Sequence, residues 1–328
     1  MEFQHLQAFG TASTPASVAV LLPCYNEALV IGTVIERFRA ALPYAQIYVY
    51  DNNSSDNSAE VARAAGAIVR SEPRQGKGHV VRRMFADIDA DIYLMCDADE
   101  TYDASMAGEL VERLTRDGLD MVVGTRTDTS GTAYRPAHKF GNWMLTSIVR
   151  TMFGSGFSDM LSGYRVFSRR FVKSFPLMSQ GFEIETELTI HALELEMPTA
   201  EVATPFKDRV EGSDSKLNTI SDGFRILWTI LTLLKQERPM YLFGLAAFVL
   251  AATSLVLGYP VIAEFARSGT VPRLPTAVLA TGTMILAFLS LFSGLILDTV
   301  TRGRKEAKRL RYLQLPSIFS LSDRQAGN

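Results

Sequence analysis

Only two cysteines, Cys24 and Cys96, occur in 328 residues. So few thiols, each closing an apolar run, exclude a disulfide framework and suit small core residues of a reducing compartment. An excess of charge is missing too: 33 Lys and Arg stand against 35 Asp and Glu, a net charge of −2. That balance is not the footprint of a general nucleic-acid binder. No Gly-x-Gly-x-x-Gly follows an apolar run, so the dinucleotide fingerprint is absent. Gln75-Gly76-Lys77-Gly78 lacks the upstream glycine of a phosphate loop and carries Gly78 where Ser or Thr would hold magnesium. Met1 to Ala16 has neither the charged head nor the apolar centre of a signal peptide, so the N-terminal part is expected to stay on the side where it is made. There is no internal repeat and no low-complexity segment.

Charge is locally absent in two places. Met240–Ala263 and Leu274–Leu297 hold no charged residue over 24 positions each. As helices they would be about 36 Å long, enough to cross a hydrocarbon core of about 30 Å with some tilt. The ten-residue connector Glu264–Arg273 makes them a hairpin with both ends on one face. Residues 302–311 carry six basic residues against one acid, which predicts that end to be cytoplasmic. The expected organisation is a tail at 1–16, a catalytic domain at 17–220, a juxtamembrane amphipathic helix at 221–238, a two-helix transmembrane hairpin at 239–300 and a basic cytoplasmic tail at 301–328. The apolar Phe224–Leu231 stretch reads equally as an interfacial helix or a core helix.

What is present in the first 220 residues is an alternation of strand and helix. Val18–Leu22, Ile47–Tyr50, Ala67–Val69, Ile92–Cys96 and Met121–Gly124 read as strands. Ala28–Leu42, Glu60–Ala65, Val80–Ile88 and Met106–Arg116 read as helices between them. The pattern predicts an α/β domain with a mainly parallel sheet. In such sheets ligands bind outside the carboxyl ends of the strands. There the sequence places Pro23-Cys24-Tyr25-Asn26-Glu27, Asp51, Asp97-Ala98-Asp99 and Gly124-Thr125-Arg126. Asp97 and Asp99 would repel one another unless a cation lies between them or one stays protonated; a solvated acidic turn is the alternative, and Mg²⁺ or Mn²⁺ suits such oxygen ligands together with substrate phosphates. Tyr25 is placed either to stack on a base or simply to pack. A nucleoside diphosphate derivative fits this rim.

Val18–Glu27, Asp51–Asp56, Gln75–Gly78 and Asp97-Ala98-Asp99, in this order and spacing, resemble a family 2 glycosyltransferase with the GT-A fold. Asp159-Met160-Leu161-Ser162-Gly163-Tyr164-Arg165 resembles the Asp-x-x-Ser-Gly-Phe-Arg stretch of dolichyl- and polyprenyl-phosphate sugar synthases. Arg209 to Leu217 is similar to their Arg-x-x-Gly-x-Ser-Lys-Leu pattern with one residue inserted. The resemblance implies that Pro23, Tyr25, Glu27, Asp51, Lys77 and Asp97 contact the donor nucleotide, and that Asp97 and Asp99 bind Mg²⁺ or Mn²⁺. It implies Arg126, Lys139, Ser162 and Arg169 for an acceptor phosphate, and Asp159 with Asp99 at the reacting centre. Glu185, Arg209 and Lys216 are further candidates; His191 reads as core. Many relatives carry Gln two residues after the second Asp, where this chain has Thr101, with Glu100 before it.

The activity so implied is inverting transfer of a sugar from a UDP- or GDP-sugar to polyprenyl phosphate at the cytoplasmic face of the cell membrane. The alternative is a membrane-anchored transferase extending a polysaccharide or glycolipid hydroxyl. The implied partners are the nucleotide-sugar, polyprenyl phosphate and the lipid bilayer, with no nucleic acid; packing of spans between protomers would give a homo-oligomer.

Overall fold

The computed structural model describes residues 16–128, 147, 157–176, 184–207, 232, 235 and 238–319. Two compact units result: Met1–Thr219 with Lys308–Asn328, and Ile220–Ala307. The juxtamembrane stretch 221–237 falls almost wholly outside the described residues.

The first unit is built on β1 (Val18–Cys24), β2 (Gln46–Asp51), β3 (Ile68–Ser71), β4 (Ile92–Met95), β5 (Met121–Asp128), β6 (Arg165–Ser168) and β7 (Thr199–Phe206). Their order in the sheet is β3-β2-β1-β4-β6-β5-β7. β1 pairs in parallel with β2 and β4, β2 with β3, and β5 with β7; β6 runs antiparallel between β4 and β5. Two reversals cancel, so β5 points the same way as β4.

The helices are α1 (Ile31–Ala41), α2 (Ser58–Ala64), α3 (Lys77–Asp87), α4 (Ala107–Arg116), α5 (Arg169–Ser174) and α6 (Ile184–Glu194). Both faces of the sheet are covered, which is why its central strands read as continuous apolar runs rather than alternations. Val18, Val20 and Leu22 of β1, Ile92 and Leu94 of β4 and Val122 of β5 pack with Ile31, Val34, Ile35 and Phe38 of α1 and Leu110 and Leu114 of α4. The opposite face is aromatic: Phe85 of α3 meets Tyr93 and Phe167 edge-on, and Phe167 stacks on Phe171 of α5 at 4.8 Å.

In the second unit, α7 (Pro239–Ser268) and the greater part of α8 (Leu274–Leu313) are each long and apolar enough to cross a membrane. Their mutual contact uses small residues: Ala247 and Ser254 of α7 and Ala280, Ala287 and Gly294 of α8 recur every seventh position on the buried seam. Ser254 Oγ donates to the Ala280 carbonyl at 2.7 Å and Ser290 Oγ to that of Phe243 at 2.9 Å. Small side chains let helix backbones approach in lipid, and such hydroxyls tie them. A Cβ on Gly294 would come within 3.0 Å of Phe243.

From Lys308 the chain belongs again to the first unit. Lys308 Nζ pairs with Glu194 at 2.7 Å, and Tyr312 donates its hydroxyl to Asp120 at 2.7 Å. Asp120, just before β5, also accepts both forks of Arg170, whose guanidinium lies 4.6 Å over the Tyr312 ring. Ile318 joins the core, and Gly118, at φ +63°, is the one residue that leaves room for Phe319.

His191 of α6 is 2 % exposed, set among Phe171 and Phe175, with Ser174 Oγ 3.3 Å from Nε2. Burial, with Lys308 nearby, pulls its pKa down to about 3. The imidazole is therefore neutral in the folded chain but protonates in the unfolded chain below about pH 6.5. Between those values the unfolded state binds more protons, so the histidine's contribution to stability falls as pH drops through 6.5 toward 3. Thermal unfolding of detergent-solubilised protein from pH 7.5 to 4.5 is expected to show this acid-side decline, with a shallower slope for His191→Phe.

Candidate active site

Strand direction assembles the rim. Cys24 stands opposite Asp51 in the β1–β2 register, and Leu21 opposite Met95 in β1–β4, so the segments after all three strands emerge on one edge. Gly124–Arg126 of β5 reach the same edge. Asn26, in the left-handed region at φ 53°, accepts from the Ser55 N–H at 2.7 Å, and its own N–H donates to Ser54 Oγ at 2.9 Å. The buried Glu27 donates its N–H to Ser58 Oγ at 2.8 Å. These bonds close the β1 and β2 loops on each other, with Pro23 and Tyr25 half-buried between them. Asp51 Oδ1 is buried and has no hydrogen-bond partner among the described residues. A buried acceptor left open costs free energy. An N–H or O–H donor on a bound nucleoside would satisfy it.

A second loop brings in Lys77. Asn52 accepts from the Gly76 N–H at 2.7 Å and donates to the carbonyls of Glu72 and Arg74. Gly76 takes φ 132°, open to glycine alone, and Lys77 then begins α3. Its ammonium lies between Asp97 and Glu185, bonded to both. Burial alone would lower the lysine pKa; the two carboxylates outweigh it and hold it above the usual value. Lys77, Asp97 and Glu185 thus form one charged chain, and Glu185 is 4 % exposed.

Asp99 is 6 % exposed and accepts from Thr101 Oγ1 at 2.6 Å. Glu100, at φ 62°, turns away to pair with Arg37 at 2.7 Å. Thr101 therefore supports the second aspartate, and Glu100 is directed to α1. Asp97 and Asp99 remain the pair able to hold a divalent cation; among the described residues no group of three His, Cys, Asp or Glu converges. The donor set fits Mg²⁺ or Mn²⁺, which commonly complete one or two carboxylates with substrate phosphates.

Across the rim, Asp159 is 7 % exposed and accepts three bonds from Arg126: from the N–H at 3.2 Å, Nε at 2.8 Å and Nη2 at 2.7 Å. The Arg126 guanidinium also lies 5.5 Å over the Phe206 ring. Ser162 is fully buried and its hydroxyl donates to the Gly124 carbonyl at 2.5 Å, tying the Asp159 loop to β5. Arg169 is not brought to this edge: its N–H bonds Asp91 at the start of β4 and its side chain pairs with Asp89. Lys139, Arg209 and Lys216 lie outside the described residues. Both cysteines are core: burial pushes the Cys24 thiol up to about 12 and raises Cys96 as well. Arg165, the last residue of the Asp159–Arg165 motif, carries no site role in the sequence reading; the structure buries it fully behind the Asp159 loop at the start of β6.

This sheet order and acidic rim are those of a GT-A glycosyltransferase. The chain belongs to glycosyl transferase family 2, whose family model matches residues 19–175. Glycosyltransferase AglJ of Haloferax volcanii is 34 % identical over 304 residues, covering 92 % of this chain and 99 % of that one. A dolichyl-phosphate hexose transferase of the same organism is 25 % identical over 228 residues, 70 % of this chain and 98 % of that one. The crystal structure of glucosyl-3-phosphoglycerate synthase from Mycobacterium tuberculosis with Mn²⁺ and uridine-diphosphate-glucose shares the fold, with TM-score 0.56 and 24 % identity over 69 % of this chain and 80 % of that one.

Gly163 offers a direct test of the acidic pair. A Cβ there would lie 2.5 Å from Asp97 Oδ2. Gly163→Ala is expected to displace the Asp97 carboxylate and reduce sugar transfer by about tenfold or more, on the scale of a small misplacement of a catalytic group. Unchanged turnover in a folded Gly163→Ala protein would show that the reaction does not require Asp97 in the position it holds here.

Proposed function

We propose that the protein transfers a sugar from a UDP- or GDP-sugar to a polyprenyl phosphate, with inversion, at the cytoplasmic face of a membrane. The observation that carries this reading is the Arg126–Asp159 pair. A hydroxyl acceptor must lose a proton to a base as it attacks. Asp159 already accepts three Arg126 donors, and Glu185 accepts from Lys77. A phosphate monoester needs no such base, because its second pKa is about 6 and it arrives largely dianionic. The dolichyl-phosphate hexose transferase relative and the two apolar helices point the same way.

In the reaction so read, Asp51, Tyr25 and Glu27 receive the nucleoside, and Asp97 and Asp99 hold the divalent cation. That ion, when bound, would stabilise the departing nucleoside diphosphate as a Lewis acid. Lys77, bonded to Asp97 and Glu185, sets a fixed positive charge beside the diphosphate. Arg126, oriented by Asp159, faces the acceptor phosphate; an arginine fork suits that anion. The isoprenoid stays in the bilayer because extracting it costs about 0.8 kcal/mol per CH₂. The soluble donor must therefore come to the surface where the phosphate projects.

The test is incubation with polyprenyl phosphate, Mg²⁺ or Mn²⁺ and a panel of nucleotide-sugars. A lipid-linked product that releases its sugar in mild acid is expected. Asp97→Asn and Asp99→Asn should each lower turnover by about a hundredfold, the scale of losing one transition-state electrostatic contact. Transfer only to hydroxyl acceptors, giving an acid-stable product, would overturn the reading.

A further inference from the structure

Arg165 is among the largest fully buried side chains, at 0 % exposure. Among the described residues no carboxylate pairs with it. It donates instead from Nε to the Ser162 carbonyl at 2.9 Å, from Nη2 to the Met160 carbonyl at 2.5 Å and from Nη1 to Thr189 Oγ1 at 2.8 Å. Burying a guanidinium without a counter-ion is expensive, and at a purely structural position an apolar side chain of similar volume is often as good. Burial pulls its pKa down to about 10, against the opposing pull of Glu185 and Asp159, so it stays charged at neutral pH.

The three acceptors lie on two different elements. The Met160 and Ser162 carbonyls belong to the loop that begins at Asp159, and Ser162 in turn bonds Gly124 on β5, two residues from Arg126. Thr189 lies one turn along α6 from Glu185, and its own hydroxyl donates a hydrogen bond to the Glu185 carbonyl at 3.0 Å. On one side of the rim stands Arg126–Asp159; on the other, Lys77 joins Glu185 to Asp97.

We propose that Arg165 is a positioning residue for sugar transfer: its buried guanidinium spans the Asp159–Ser162 loop and the Thr189–Glu185 turn of α6, fixing the two charged arms of the site relative to each other. A planar fork holds both with donors at fixed angles, whereas an ammonium carries rotatable donors on a flexible stem and sets their relative geometry less rigidly. The proposal rests on the reading of Asp159 and Glu185 as lining the site, but not on the identity of the acceptor.

The experiment therefore uses whichever acceptor the wild-type protein glycosylates, and measures nucleotide binding by calorimetry and thermal unfolding alongside. Arg165→Met is included, but Arg165→Lys, which keeps the charge, is the decisive variant. Arg165→Lys is expected to bind UDP or GDP within about threefold of wild type while kcat falls about tenfold to a hundredfold, as a small misplacement of reacting groups can do. Thr189→Val should lower kcat in the same way, and Thr189→Ser, which keeps the hydroxyl, should recover most of that loss. In the doubly substituted Arg165→Lys/Thr189→Val protein the losses should be less than additive, because both break one link. Wild-type kcat in folded Arg165→Lys, fully additive losses, or a fall in nucleotide binding and melting temperature that matches the fall in kcat would each overturn the proposal. If the wild type makes only a hydroxyl-linked product, the acceptor reading fails while these comparisons still stand.

Discussion

Carboxylates delivered by parallel strands to one edge repel each other, and the rest of the site depends on how that repulsion is met. Lys77 and Arg126 meet it from distant parts of the chain. Lys77 is 20 residues from Asp97 and 108 from Glu185, yet touches both. Arg126 closes on Asp159 across 33 residues. Each cation is held by more than one bond, so each is fixed in direction as well as in place. The Asn52 bridge to Gly76 and the Ser162 bond to Gly124 follow from the same need: loops that carry these charges must themselves be tied down.

The strands that build the rim are legible in the sequence because they are buried on both faces. Val18–Leu22, Ile47–Tyr50 and Ile92–Cys96 are unbroken apolar runs, and parallel pairing then sends Asp51 and Asp97 to one edge without further information. β6 and β7 are a different matter. β6 has four residues and starts on Arg165; β7 includes Glu201 and Pro205. Neither presents the run or the alternation that marks a strand. The antiparallel course of β6 also explains Arg169. A residue following Ser162 by so little looks close to the acceptor side, but β6 carries the chain away from the rim, and Arg169 emerges beside Asp91 at the other end of β4.

Composition misses geometry in a similar way at the other end of the chain. The basic run at 302–311 counts as a uniform positive patch. In a helix, Lys308 and Tyr312 lie one turn apart on a shared face. That face docks on Glu194 and Asp120, while Arg302 pairs along its own helix with Asp298. The spacing was present in the sequence; its partners were not, because Asp120 and Glu194 become neighbours only when β5 and α6 are in place.

Satisfied and unsatisfied carboxylates divide the rim into two kinds of surface. Asp51 keeps a buried oxygen without a partner among the described residues, whereas Asp159 and Glu185 hold Arg126 and Lys77. An open acceptor can recognise a donor group on a ligand; one bonded to a cation orients that cation. For transfer from a charged donor, orientation of the cations that face it is the greater need. A nucleoside diphosphate departs as an anion, so positive groups must face it as its bond to the sugar breaks. Fixed positive groups that need not reorganise as charge moves lower the barrier to that departure. A rim whose carboxylates hold Lys77 and Arg126 in fixed directions therefore sets positive charge in place before the reaction begins.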